Sequence, residues 1–181
     1  MRVRKKNRGT WALLVLGLLL GLYGCGKAPT ATDPPDNIPP PPAQPSISVT
    51  CSPTSGGKDT VVTFTISIKS NQKEIGVFGL EMIFPPKMFN YSGVDKGSLT
   101  GDWAAVDGNK VSADKLKIGG FKGSGTAAVV NSQGSLAVIR MRVTGGELGD
   151  GQQGRISIQG YTDDISDISP QPAATNFTLN K

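Results

Sequence analysis

The chain reads as an all-β protein, a jelly-roll β-sandwich of about nine strands behind a signal peptide and a Pro-rich linker. Three observations predict it. From Ser46 onward apolar residues recur with period two, and no stretch sustains a helical period. Glycine (24) and proline (13) are frequent while aromatics are only 6%, which favours turn-rich β structure over a helical bundle. Turn signals recur about every 8–12 residues, the spacing of a sandwich.

Residues 1–24 form the leader. Arg2, Arg4, Lys5, Lys6 and Arg8 precede the apolar run Trp11 to Tyr23. A membrane-spanning helix needs about 20 apolar residues, and this run falls short, so it reads as the apolar core of a secretory signal. Those five basic residues account for the whole formal net charge of +5. The remainder is balanced, so the charge gives no reason to expect a nucleic-acid partner. The leader ends at Leu22-Tyr23-Gly24-Cys25, which resembles a bacterial lipobox. The resemblance implies cleavage before Cys25 and acylation of that residue. It implies a cell-envelope lipoprotein, in the outer membrane if the cell has one, because Gly26 stands where an inner-membrane retention aspartate is expected. Residues 25–45 hold the lipidated cysteine and a disordered linker with eight of the 13 prolines. As polyproline II at ~3.1 Å per residue, it spaces a domain up to ~60 Å from the membrane.

The domain is expected over 46–181. Ile47, Val49 and Cys51 alternate with polar residues, and Pro53 to Asp59 is read as a turn. Val62, Phe64, Ile66 and Ile68 alternate with Thr63, Thr65, Ser67 and Lys69, a half-buried strand of β-branched and aromatic residues. Ile75 to Phe84 is the next strand, with Leu80, Met82 and Phe84 inward and Glu81 and Ile83 outward; Gly79 marks a bulge or a close backbone approach. A short strand follows over Met88 to Val94. Asp107-Gly108-Asn109 and Gly119-Gly120 are read as turns between short strands at Trp103 to Val106, Val111 to Ala113 and Leu116 to Phe121, with another at Ala127 to Val130. Ser135 to Val143 is a strong strand, and Arg155 to Gln159 and Asn176 to Leu179 complete the sheets.

Several of these segments resemble cohesin domains. Gly57 with Val61-Val62-Thr63-Phe64 is similar to an early cohesin strand. Phe78 to Phe89 (FGLEMIFPPKMF), then Val94 and Gly97, is similar to a strand entering a proline turn and a Val-x-x-Gly. Gly134 to Val143 (GSLAVIRMRV) is similar to the late strand. The resemblance covers about residues 46–160. It implies a nine-stranded jelly roll that binds dockerin modules, assembling polysaccharide-degrading complexes outside the cell.

Catalysis is not expected. There is no histidine, which removes Ser-His-Asp and Cys-His chemistry and the usual zinc sites. Ser55-Gly56-Gly57-Lys58 matches Ser-x-x-Lys but sits in a turn rather than at a helix start. Cys51 shares parity with buried residues and reads as a small hydrophobe. Asp163, Asp164 and Asp167 are weak candidates for Ca²⁺ without an EF-hand's glycine and glutamate. No cofactor is expected.

A binding face is expected instead. Alternation places Ala137, Ile139, Met141 and Val143 inward and Leu136, Val138, Arg140 and Arg142 outward. Leu136 and Val138 beside Arg140 make apolar anchors with a polar rim. The cohesin resemblance implies that this strand and the Glu81–Ile83 strand share a sheet, giving a partner face of Glu81, Ile83, Leu136, Val138 and Arg140. Two other readings remain open. One is a carbohydrate-binding sandwich using Trp103, Tyr91 and Tyr161 as stacking surfaces; the other is a structural envelope lipoprotein.

Overall fold

The computed structural model describes residues 45–69, 73–130, 132–145, 148–168 and 172–181. The leader, Cys25 and the linker as far as Gln44 lie outside the described residues. Those described contain no helix and ten strands: β1 (Ser46–Ser52), β2 (Ser55–Gly56), β3 (Val61–Lys69), β4 (Val77–Ile83), β5 (Phe89–Lys96), β6 (Ala105–Lys110), β7 (Lys115–Phe121), β8 (Gln133–Val143), β9 (Gln153–Asp163) and β10 (Ala173–Leu179). One sheet has the order β1-β3-β8-β5 and the other β2-β10-β9-β4-β7-β6. All pairings are antiparallel except that of the two-residue β2 with β10. β1 lies along β10 and β5 along β6, so the two sheets close into a sandwich.

The period-two pattern explains the core. Ile47, Val49 and Cys51 of β1, Val62 to Ile68 at alternate positions of β3, and Phe78, Leu80 and Met82 of β4 are all buried. They meet Leu116 and Ile118 of β7, Ile139, Met141 and Val143 of β8, and Ile156 and Ile158 of β9. Phe89 joins the layers: its ring meets Phe64 edge-on at 5.5 Å and Phe177 at 5.2 Å, a favoured aromatic geometry.

Four expectations are corrected. First, Asp107-Gly108-Asn109 is not a turn but the middle of β6. Gly108 is needed there for space, since a Cβ would stand 2.7 Å from the Tyr91 hydroxyl, which donates to the Gly108 carbonyl at 3.3 Å. Second, Ser55–Gly56 forms β2, and Ala127 to Val130 contributes only the bridge of Val129 to Ile75. Third, β4 and β8 belong to opposite sheets, so Glu81 and Ile83 cannot share a face with Val138 and Arg140.

Fourth, Leu136 does not face outward; it is fully buried. Against β3, Ala137 pairs with Ile66 and Ser135 with Ser67, which leaves Leu136 as the extra residue of a β-bulge. The bulge resets the alternation, so adjacent Leu136 and Ala137 both point into the core. The Leu136 carbonyl accepts from the Thr100 hydroxyl at 2.7 Å and from the Gly97 amide at 3.2 Å. A Cβ on Gly97 would lie 2.2 Å from the Ser135 carbonyl oxygen, so only glycine lets the loop after β5 approach the bulge.

Candidate functional site

The strand registers place side chains on the outer face of the six-stranded sheet in rows. One row is Asp107, Gly119, Gly79 and Thr162; the next is Asn109, Lys117, Glu81 and Gln159. On the other side of the glycine row, Ala105 pairs with Phe121 and Phe121 with Val77. Gly119 leaves bare backbone between two ridges of side chains, while the Thr162 hydroxyl and Asp163 carboxylate lie over neighbouring Gly79. The result is an open trough of about 500 Å³ lined by Val77, Phe121, Glu81, Lys117, Asp107 and Asp163 among others. Phe121 is 53% exposed and Val77 37%, so one wall is apolar and uncovered.

Local chemistry holds this shape. Opposite Leu80, β9 spends two residues, Gly160 and Tyr161, and Gly160 has φ +60°. This glycine-led bulge bends β9 around the trough. Thr162 then leans over Gly79, where a Cβ would fall 2.3 Å from its hydroxyl oxygen. That hydroxyl donates to Asp163 at 2.8 Å. The Asp164 carboxylate accepts from the amides of Gly76 (2.8 Å) and Val77 (3.0 Å), fixing the start of β4 and therefore Val77 beside Phe121. On the polar wall, Lys115 donates to Glu81 at 2.9 Å and Lys117 stands 3.9 Å from its other oxygen. The Lys115 hydrogen bond, helped by Lys117 and Gln159, holds the Glu81 carboxyl below the usual carboxylate range against the opposing effect of burial.

The opposite outer face, on β1-β3-β8-β5, is different. It carries Ser48, Thr50, Thr63, Thr65 and Ser67 with half-buried Val138 and exposed Arg140 and Arg142. Arg140 pairs with Asp95 at 3.2 Å and Arg142 approaches Asp59 at 4.0 Å. Exposed pairs of this kind contribute about 0–1 kcal/mol. Of the five expected partner-face residues, Glu81 and Ile83 therefore face outward on one sheet, Val138 and Arg140 on the other, and Leu136 on neither.

The expected carbohydrate platform is not assembled. Trp103 is 1% exposed and packs against Phe78 with ring centroids 5.8 Å apart, so it offers no face to a sugar. Tyr91 and Tyr161 lie on different sheets. Both are half-buried with their hydroxyls bonded internally, and burial raises both phenol pKa values. The three aspartates do not converge either. Asp163 takes the Thr162 hydroxyl, Asp164 the β4 amides, and Asp167 pairs with Lys73. Among the described residues no group of three metal-ligating side chains gathers. Burial pushes the Cys51 thiol up to about 11, and it donates to the Pro53 carbonyl at 3.1 Å, which makes it a poor nucleophile.

Nothing in the sequence marks Val77, Gly79, Asp107, Lys117, Gly119 and Phe121 together as a site. One signal was present. Leu116 and Ile118 point inward, which places Lys117, Gly119 and Phe121 outward by alternation.

No model of a known protein family matches the chain, and a search of curated proteins finds no match. Solved structures do match. The third cohesin ScaC of Acetivibrio cellulolyticus, solved with the ScaB dockerin, is 17% identical with a TM-score of 0.59, over 75% of this chain and 100% of that one. The OlpA cohesin of Clostridium thermocellum, from a type I cohesin–dockerin complex, is 14% identical with a TM-score of 0.59, over 74% and 99%. A non-cellulosomal cohesin from the archaeon Archaeoglobus fulgidus is 19% identical with a TM-score of 0.58, over 77% and 93%. At these identities the likeness establishes the fold: the domain is an all-β sandwich with the cohesin architecture.

Proposed function

We propose that the domain is a non-catalytic docking module that receives a dockerin-type protein partner on the outer face of its six-stranded sheet. An acylated Cys25 holds it at the cell envelope, and the partners are secreted proteins, polysaccharide-degrading enzymes among them. The cohesin fold supports this reading, since the matched ScaC and OlpA cohesins were both solved with dockerins. The observation that carries it is the trough, where exposed Phe121 and Val77 stand beside a floor at Gly119. An uncovered aromatic at the edge of a concave surface, ringed by charged groups, is the composition of an interface anchor.

The test is capture of purified dockerin-bearing proteins secreted by the same organism. Phe121→Ser is expected to weaken binding by about 2 kcal/mol or more, roughly thirtyfold, with an unchanged melting curve. Retention of the protein on insoluble polysaccharide, lost with Phe121→Ser, in the absence of any protein capture would replace this reading with a carbohydrate-binding one.

The anchor has its own test. Cys25→Ala is expected to move the protein from the detergent-released membrane fraction to the soluble fraction. Membrane retention equal to the wild type refutes lipidation at this residue.

A further inference from the structure

The acidic turn after β9 reaches the trough through the backbone of β4. β9 ends at Asp163, whose φ of +59° turns the chain out of the sheet. The pairing of β9 with β4 ends at the same point, where Phe78 faces Asp163, and β9 has no residue paired with Val77 or Gly76. One oxygen of the Asp164 carboxylate accepts from both of their amides instead, at 3.0 Å from Val77 and 2.8 Å from Gly76. The turn that carries it is itself held down. Ile165 and Ile168 are buried in the core, and the amides of Ile165, Ser166 and Ile168 donate to carbonyls within the turn. Asp164 is therefore a fixed point against which β4 begins. Across from it, the Gly76 carbonyl accepts from the Lys122 amide at 2.9 Å, and Val77 pairs with Phe121. Val77 and Phe121 line the trough, whereas Asp164 does not.

We infer, on the premise of the docking reading above, that Asp164 is a positioning residue: it sets the affinity for the partner through Val77 and does not touch the partner. Hydrogen bonds to an ionised acceptor are shorter and stronger than neutral ones. Without them the start of β4 is held only by β7 and by the bridge of Ile75 to Val129. Val77 then samples several placements beside Phe121, and the freedom regained is lost again on binding.

Two measurements on the full chain in detergent test this: amide hydrogen exchange, and titration with purified dockerin-bearing proteins of the same organism. Asp164→Ala is expected to speed exchange at Gly76 and Val77 by about tenfold or more while Ile139 in β8 exchanges as before. Its affinity is expected to fall about fivefold. Asp164→Asn keeps an acceptor oxygen and is expected to restore both readouts to within about threefold of the wild type. A thermodynamic cycle separates positioning from contact. Val77→Ala alone is expected to cost about fivefold, and Asp164→Ala added to it nothing further, where independent sites would multiply to about 25-fold. Asp164→Glu keeps the charge but misplaces the oxygen; it is expected to show the same non-additive loss, and it supplies the cycle if Asp164→Ala does not fold. Multiplying losses, or unchanged exchange and affinity in both Asp164→Ala and Asp164→Glu while Phe121→Ser still weakens binding, leave docking standing and overturn the positioning role. Wild-type affinity in Phe121→Ser, or no binding by any probe, overturns both.

Discussion

Leu136→Asp is expected to unfold the domain rather than to disarm a binding face. The side chain is fully buried at the bulge of β8, and its carbonyl is the acceptor for both Thr100 and Gly97. An ionised carboxylate placed there has no partner. It is either desolvated or forced to protonate, at a cost of several kcal/mol. The lost packing adds to this, since even Leu→Ala in a core costs about 2–5 kcal/mol. The sum is comparable with the ~5–15 kcal/mol that a domain of this size possesses. Val138→Asp, two residues on and facing water, is the paired control and is expected to shift stability by about 1 kcal/mol or less. Circular dichroism melting of the two variants decides between the facings. A Leu136→Asp variant that stays folded and melts like Val138→Asp would restore uninterrupted alternation in β8, with both side chains outward.

The failure at Leu136 shows where a sequence reading stops. Alternation is a local rule, and it held wherever a strand runs without interruption. Period two alone identifies the inward residues of β1, β3 and β4. The bulge between Ser135 and Ala137 is set by something outside the strand: the loop after β5 folds back so that Thr100 and Gly97 claim the Leu136 carbonyl. Thr100 is itself completely buried, a polar residue whose hydroxyl donates to a carbonyl 36 positions away, and no pattern within GSLAVIRMRV reports it.

Glycines misled for a related reason. Turn chemistry alone assigns Gly108 and Gly119 to turns, yet both lie within strands. Gly108 makes room for Tyr91, and Gly119 opens the floor of the trough. A glycine's need for space depends on a neighbour far away in sequence, whereas its need for positive φ is local; only the second is visible in a single chain. The pairing of sheets was the largest gap. Nothing in the residues of β4 or β8 says that they lie on opposite layers, because both show the same one-sided apolar pattern. The fold class is therefore legible in the sequence, while of the residues that line the trough the expected partner face contains only Glu81.

Phe64→Ala is the second large effect, and it tests the sandwich itself. Phe64 is fully buried, pairs with Cys51 on one side and Ile139 on the other, and sets its ring edge-on to Phe89. Phe89 in turn meets Phe177 of the other sheet, so the ring of Phe64 is one member of the chain that ties the layers together. Its truncation removes transfer energy and leaves a cavity that rigid β-strands fill poorly, at about 3–5 kcal/mol. For a domain of this length the melting temperature is expected to fall by roughly 10–20 °C. Thr65→Ala is expected to change stability by no more than about 0.5 kcal/mol, because its hydroxyl points outward opposite Val138 and Thr50. The two positions are adjacent, so context and propensity are nearly matched and only facing differs. A Thr65→Ala variant less stable than Phe64→Ala would mean that β3 is shifted by one residue, since such a slip exchanges every inward side chain for an outward one. It would also carry Val138 into the core and Ile139 to the surface through the shared register, which the Val138→Asp melting curve detects independently.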